Sequence, residues 1–175
     1  MRVGILSDTH DVLDEDVAGC LEGSDLILHA GDIGGPAVLD RLAQLCDRQL
    51  AVIGNNDTCA KWPAVGHAQL QALPESLHVE LPGGILAMEH GHRIWDTKNY
   101  HRRLRMRHPG ARAIVYGHTH IQIVDQSQAS WVLNPGAAGR QRTKLGPSCL
   151  LLEAGSRGWH VEAYRFGKKA GRRVA

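Results

Sequence analysis

Short apolar runs that end in polar turns recur along this chain of 175 residues. The run Val3–Leu6 leads into the turn Ser7–His10, and the run Ala113–Tyr116 leads into the turn Gly117–His120. Apolar runs of about four to eight residues bounded by turn residues are typical of buried strands. The chain is therefore constrained to a fold in which several strand ends present polar side chains.

The order of the predicted elements changes along the chain. The predicted strands are Val3–Leu6, Leu26–Ala30, Gln49–Ile53, His78–Leu81, Ile85–Met88, Ala113–Tyr116, Ile121–Val124, Trp131–Leu133, Cys149–Leu152 and His160–Arg165. The predicted helices are Leu13–Leu21, Pro36–Leu45 and Thr97–Met106, and the segment Cys59–Leu73 has an irregular pattern. The early alternation of strand and helix predicts parallel pairing, whereas the later succession of strands predicts antiparallel pairing. Two packed sheets with helices outside would satisfy both.

Composition indicates an ordinary soluble globular protein. The chain is 43% hydrophobic and 22% charged, with a formal net charge of +2. This charge gives no reason to expect a nucleic-acid or membrane partner. No stretch approaches the roughly 20 apolar residues that a membrane span needs, so we expect a cytoplasmic protein. We expect a single domain over residues 1–166 and a basic, frayed tail over residues 167–175.

The four cysteines form no Cys-x-x-Cys pair and give no sign of a disulfide framework. We expect them to be small buried residues or free thiols. They are Cys20, Cys46, Cys59 and Cys149.

Seven side chains with metal-ligand chemistry lie at the exits of predicted strands, where α/β folds form binding sites. They are Asp8, His10, Asp32, Asn55, His90, His118 and His120. An isolated His-x-His is usually a surface pair, but in extended backbone His118 and His120 would point to one side, towards the other candidates. Imidazole, carboxylate and amide ligands without thiolate fit Mn²⁺, Fe²⁺ or Zn²⁺ better than Ca²⁺.

Two metal ions fit these residues better than one. Seven ligands exceed the four of a tetrahedral site, and a hydrolytic site needs open positions for water and substrate. Asp32 is the natural carboxylate to bridge two ions. Two divalent ions bring four positive charges and the carboxylates of Asp8 and Asp32 return two, so the remaining charge suits an anionic substrate.

The motifs Asp-x-His, Gly-Asp, Gly-Asn, His-Gly-His and Gly-His-x-His occur in that order and resemble those of the calcineurin-like metallophosphoesterase superfamily. The short length and the turns Gly54–Asp57 and Asn134–Gly136 resemble its small bacterial and archaeal phosphodiesterase branch. The resemblance implies an α/β fold, a four-layer α-β-β-α sandwich of two mixed sheets flanked by helices. It also implies hydrolysis of phosphate esters by a metal-bridging hydroxide, with two divalent ions, most often Mn and otherwise Fe, Zn or Ni.

The resemblance assigns each ligand to one of the two ions. Asp8, His10, Asp32 and His120 would hold one ion, and Asp32, Asn55, His90 and His118 would hold the other. Many family members have histidine directly after the metal-binding asparagine, but here that position is Asn56, which cannot give up a proton near neutral pH. As a substrate-binding residue it would favour esters with good leaving groups. His92 is either the proton donor or the residue that orients His90.

Other polar residues have weaker claims to the site. Arg140 and Arg142 could meet a substrate phosphate or could be solvated surface arginines. His29 is expected to be a hydrogen-bonded residue at a strand end. We expect Asp57 to fix the preceding loop through backbone hydrogen bonds, whereas Asn134 either holds a site loop or forms a structural turn.

Three functions compete. The leading hypothesis is a phosphodiesterase for small phosphodiesters. The resemblance also implies a homodimer, since small members of this family often pair. A non-catalytic scaffold, like the retromer subunit of this fold, would be favoured by lost ligands, and none is lost here. A nuclease is disfavoured because such enzymes carry a capping domain and because a near-neutral chain would attract the phosphate backbone of nucleic acid only weakly.

Overall fold

Eleven strands form two mixed sheets in the computed structural model, which describes residues 1–139, 145–167 and 172–174. The strands are β1 (Arg2–Leu6), β2 (Leu26–His29), β3 (Gln49–Ala51), β4 (Ser76–Leu81), β5 (Gly84–Glu89), β6 (Ala113–Val115), β7 (Ile123–Asp125), β8 (Trp131–Asn134), β9 (Ser148–Gly155), β10 (Gly158–Arg165) and β11 (Arg172–Val174). The α-helices are α1 (Glu15–Leu21), α2 (Pro36–Leu45), α3 (His67–Ala72) and α4 (Tyr100–Arg107). One sheet has the order β11-β10-β9-β1-β2-β3, and the other has the order β4-β5-β6-β8-β7.

The central strands are buried on both faces, which explains their continuous apolar sequence. Successive side chains of a strand point to opposite faces, so Ile5 packs between the two sheets and Leu6 packs under the helices. In the other sheet, Val115 faces the inter-sheet core and Ile114 faces the opposite side. The three apolar clusters therefore separate four layers, and the predicted α-β-β-α sandwich is confirmed.

The helices cover the outer faces of the sheets with apolar stripes. Val17 and Leu21 of α1 and Leu42 of α2 pack over the six-stranded sheet. Leu104 of α4 packs over the five-stranded sheet. The carboxylate of Asp14 caps α1 by accepting from the backbone N–H of Asp16 at 3.0 Å.

Strand directions confirm one pairing prediction and correct another. The order β1, β2, β3 is parallel, as the early alternation predicts. The prediction of antiparallel pairing later in the chain is confirmed for β4 with β5, β7 with β8 and β9 with β10. It is wrong for β5 with β6 and for β6 with β8, which are parallel. The stretch with α4 connects β5 to β6, and β7 lies between β6 and β8, so each connection crosses over. The carboxyl ends of five parallel strands consequently carry the candidate site.

Several boundaries differ from the prediction. Within Cys59–Leu73 the chain forms a 3₁₀ turn, Ala64–Gly66, and then α3. The strand predicted at Ile121–Val124 begins only at Ile123. Arg172–Val174, inside the predicted tail, add an edge strand beside β10.

All four cysteines are free thiols. Among the residues that the structure describes, no helix is both long and apolar enough to span a membrane.

Candidate metal centre

Loops from both sheets bring most of the predicted ligands together. The seven residues follow the carboxyl ends of five strands: Asp8 and His10 after β1, Asp32 after β2, Asn55 after β3, His90 after β5, and His118 and His120 after β6. Two groups have ligand atoms that all lie within 4.8 Å of one another: Asp8, His10 and His120 in the first, and Asp8, Asp32 and His90 in the second. Residues separated by more than 100 positions thus share one small volume.

The first group contains one buried oxygen, Asp8 Oδ1, that a cation would complete. Nε2 of His10 lies 3.3 Å from Nε2 of His120, which lies 3.2 Å from Oδ1 of Asp8. That Oδ1 is buried and has no hydrogen-bond partner among the described residues, whereas Oδ2 accepts from Ser7 Oγ at 2.6 Å and from the His118 N–H at 3.1 Å. A buried carboxylate oxygen without a hydrogen bond is costly. The donor set therefore fits a metal ion.

Three acceptor atoms lie close together around His90, two of them from the second group and one from Asn55. The His90 Nδ1–H donates to the carbonyl of Ala30 at 2.7 Å, so Nε2 of the neutral ring carries the lone pair. This Nε2 lies 3.2 Å from Asn55 Oδ1 and 3.4 Å from Asp32 Oδ2. The same Oδ2 lies 3.9 Å from Nε2 of His10, which belongs to the first group. Asp32 therefore lies beside ligand atoms of both groups.

The surroundings of the centre favour the ionised form of the Asp32 carboxylate. They also favour the neutral form of two of the histidines. Burial opposes ionisation of Asp32, but the proximity of His90 and the hydrogen bonds from Asn56 hold the pKa of that carboxyl well below its usual range. Burial and the proximity of His90 lower the pKa of His118 and of His92. Burial lowers the pKa of His90 as well, but the neighbouring Asp32 and Asp8 carboxylates outweigh it and raise that pKa overall. A divalent ion would take the place of the proton there.

Left-handed backbone concentrates in the ligand loops. The non-glycine residues with positive φ in the described structure are Asp8, His10, Asp11, Asp32, His118 and His120. This conformation costs about 1–2 kcal/mol per residue, and such strain clusters at functional sites. The prediction that His118 and His120 point together from extended backbone is wrong: His120 belongs to the first group, whereas the His118 ring lies 5.4 Å from the His90 ring, outside both groups.

Asn56 points towards Asp32, and a lysine that we did not predict lies on its far side. The Asn56 N–H donates to Asp32 Oδ1 at 2.7 Å, and Nδ2 donates to Asp32 Oδ2 at 2.6 Å. The ammonium of Lys61 donates to Asn56 Oδ1. Lys61 could not be identified from the sequence, because it lies in the segment with an irregular pattern.

His92 lies beside His90 but does not orient it through a hydrogen bond. The two rings are 5.5 Å apart, and the bond that sets the His90 ring is the one to Ala30. Nδ1 of His92 is buried and has no hydrogen-bond partner in the described part of the chain. Arg140 and Arg142 lie outside the described residues.

Asp57 and His29 do what the sequence predicts, and Asn134 takes one of the two roles left open for it. Asp57 accepts backbone hydrogen bonds from its own loop and from the loop after β2. Asn134 donates to the Gly117 carbonyl at 2.8 Å and thereby holds the His118 loop. His29 is buried and bonded to Thr9 Oγ1 at 2.9 Å.

Comparison with known proteins agrees with this geometry. Residues 1–157 match the model of the calcineurin-like phosphoesterase superfamily domain. The chain belongs to this superfamily. It is 27% identical to a probable metallophosphoesterase of Methanothermobacter thermautotrophicus over 172 residues, which cover 95% of this chain and 94% of that protein. It is 24% identical to a phosphodiesterase of Methanocaldococcus jannaschii, with coverage of 78% and 83%.

The fold also matches solved structures. Wild-type Vps29 of Entamoeba histolytica, in a complex with Zn²⁺, superposes with a TM-score of 0.80 at 19% identity. The match covers 98% of this chain and 96% of that chain. At this level of identity the likeness shows the shared fold alone.

Proposed function

We propose that this protein is a phosphodiesterase that uses two divalent metal ions to hydrolyse small phosphate diesters. The observation that carries the proposal is that Asp32 Oδ2 lies 3.4 Å from His90 Nε2 and 3.9 Å from His10 Nε2, beside ligand atoms of both groups. The buried Oδ1 of Asp8, which has no hydrogen-bond partner among the described residues, supports it, because a cation would compensate that atom. The family match and the phosphodiesterase among the relatives support the hydrolytic class.

We assign the ligands as the resemblance implies. Asp8, His10, Asp32 and His120 would hold one ion, and Asp32, Asn55, His90 and His118 would hold the other. Manganese suits this set best, with Fe, Zn or Ni as alternatives. Bound ions would supply Lewis acidity and an activated water molecule. Because Asp8 and Asp32 neutralise only half of the ionic charge, the centre would attract an anionic ester.

The chain's own residues would orient the centre and assist the leaving group. The backbone carbonyl of Ala30 fixes the His90 ring, and Asn56 holds both oxygens of Asp32. Asn56 would contact substrate only if its Nδ2 gave up the hydrogen bond to Asp32. Its first role is therefore to position the Asp32 carboxylate. We assign proton donation to His92, whose ring lies 6.3 Å from that of His118.

Hydrolysis of bis(p-nitrophenyl) phosphate in the presence of Mn²⁺ tests the proposal. We expect turnover that disappears on chelation and that falls at least about 100-fold in Asp8→Asn, which removes a ligand oxygen. Asp47→Asn, at an exposed site, is the matched control and should retain wild-type activity. No hydrolysis with Mn²⁺, Fe²⁺, Zn²⁺ or Ni²⁺ would reject catalysis, and a stable protein complex would then favour the scaffold.

The role of His92 is measured in the same assay with two leaving groups. His92→Ala should slow hydrolysis of an alkyl ester more than that of a nitrophenyl ester, because a poor leaving group needs the proton. Equal rates of wild type and variant on both esters would remove His92 from the mechanism.

Mass measurement in solution would test the predicted homodimer.

A further inference from the structure

Lys61 places a positive charge at the edge of the candidate metal centre. Its ammonium donates to Asn56 Oδ1, while Nδ2 of the same amide donates to Asp32 Oδ2. A single amide group therefore separates the ammonium from the Asp32 carboxylate, which lies beside ligand atoms of both groups. The lysine side chain is exposed, so a solute in the site could reach it.

The turn that carries Lys61 is anchored to the ligand loops. The N–H groups of Lys61 and Trp62 both donate to the Thr58 carbonyl at 2.9 Å. The buried Trp62 indole donates to Asp57 Oδ1 at 3.0 Å, and the same carboxylate accepts from the Gly54 N–H at 2.8 Å. The backbone of Lys61 is thus fixed relative to the loop that carries Asn55.

Lys61 differs from the neighbouring cations in having no carboxylate partner among the described residues. Arg93, next to His92, is paired with Glu75, and Arg107 is paired with Glu89 at 3.2 Å. Their charges are already compensated. The charge of Lys61 meets only a neutral amide oxygen, which is a weaker partner than an anionic oxygen would be.

We propose that Lys61 is a substrate-binding residue whose ammonium exchanges Asn56 Oδ1 for an oxygen of the substrate phosphoryl group. The inference rests on the proposed function for the identity of the substrate, but anion binding can be measured without turnover. A lysine acts as a mobile point charge on a flexible stem, which suits this exchange between two acceptors. Phosphate oxygens are strong acceptors for such charge-assisted hydrogen bonds.

Calorimetric titration of the Mn²⁺-loaded protein with inorganic phosphate tests the inference. We expect Lys61→Met to weaken phosphate binding about tenfold or more and Lys61→Arg to retain most of it. The affinity for Mn²⁺ should be the same in wild type and both variants. Lys98→Met, at another exposed lysine, is the matched control and should bind phosphate like wild type.

Two results would overturn the inference. One is unchanged phosphate affinity in Lys61→Met. The other is a loss of Mn²⁺ affinity that accounts for the whole effect, because Lys61 would then act only by positioning Asn56 and Asp32. Phosphate binding that depends on Lys61 in a protein without turnover would sustain this inference while rejecting the proposed function. Hydrolysis of diesters together with unchanged phosphate affinity in Lys61→Met would support the proposed function and reject this inference.

Discussion

His29 lies at the end of β2, behind the candidate metal centre, and is 1% exposed. Its Nε2 lies 2.9 Å from Thr9 Oγ1, and its Nδ1 accepts from the Gly31 N–H at 3.2 Å. Burial is the main cause that lowers the pKa of His29 to about 4. With Nδ1 accepting, the hydrogen of the neutral ring is on Nε2 and can be donated to Thr9. The imidazole therefore holds together two of the loops that carry ligands.

We predict that His29 makes the protein less stable in acid. As pH falls below the unfolded value of about 6.5, the unfolded chain binds the proton first, so the free energy of unfolding decreases until about pH 4. The decrease due to this residue should reach at most about 3 kcal/mol. Denaturant unfolding of the chelated protein at pH 7 and pH 4.5 should show a smaller decrease in His29→Gln than in wild type. His160→Gln, at an exposed histidine, should behave like wild type, and equal decreases in all three proteins would refute the prediction.

At the scale of elements, one buried carboxylate joins the loops after β2 and β3. Asp57 is 3% exposed and accepts four hydrogen bonds, from the N–H groups of Ile33, Gly34 and Gly54 and from the Trp62 indole. The two loops approach so closely that a Cβ at Gly54 would lie 2.2 Å from Oδ1 of Asp32. Asp57 thus fixes the spacing between Asp32 and the loop that carries Asn55.

We predict that Asp57→Asn destabilises the protein and weakens metal binding. The amide nitrogen would face two N–H donors that need an acceptor, so the free energy of unfolding should fall by about 2–4 kcal/mol. Mn²⁺ affinity should fall about 10- to 100-fold because Asp32 loses its support. Denaturant unfolding and metal titration measure the two effects. Asp47→Asn is the exposed control, and a variant as stable as wild type would contradict the role of Asp57.

The elements were predictable where burial alone decides the structure. The run Val3–Leu6 is apolar on both faces because it is buried on both faces, and its identity as a strand follows. The parallel pairing of β6 with β8 could not be predicted. It depends on the position of β7, which lies between them in the sequence and pairs antiparallel with β8. The left-handed backbone at His118 and His120 is imposed by the folded loop, and no local pattern encodes it.

The closeness of most of the predicted ligands could be anticipated from the sequence, but their arrangement could not. The predicted ligands share a chemistry and a position after strands, and both are visible in the sequence. The contact of Lys61 with Asn56 depends on the anchoring of a separate turn by Trp62. Contacts of this kind arise between segments and leave no periodic signal.

At the scale of the whole molecule, the candidate centre lies where the two sheets meet. Asp8, His10, Asp32 and Asn55 come from the six-stranded sheet, and His90, His118 and His120 come from the five-stranded sheet. The sheets already share an apolar core, which contains Ile5 and Val115. Ions bound by ligands from both sheets would add a second connection at the edge of that core, so metal binding should stabilise the entire fold.

We predict that metal raises the melting temperature of the whole protein in one transition. Binding to the native state alone contributes about 2.7 kcal/mol at 100 times the dissociation constant, which corresponds to about 5–10 °C for a domain of this size. Scanning calorimetry with Mn²⁺ and with chelator measures the shift. Asp8→Asn should lose most of it, since Asp8 belongs to both ligand groups, whereas the exposed control Asp47→Asn should keep it. A shift confined to one of two separate transitions would show that the ions do not connect the sheets.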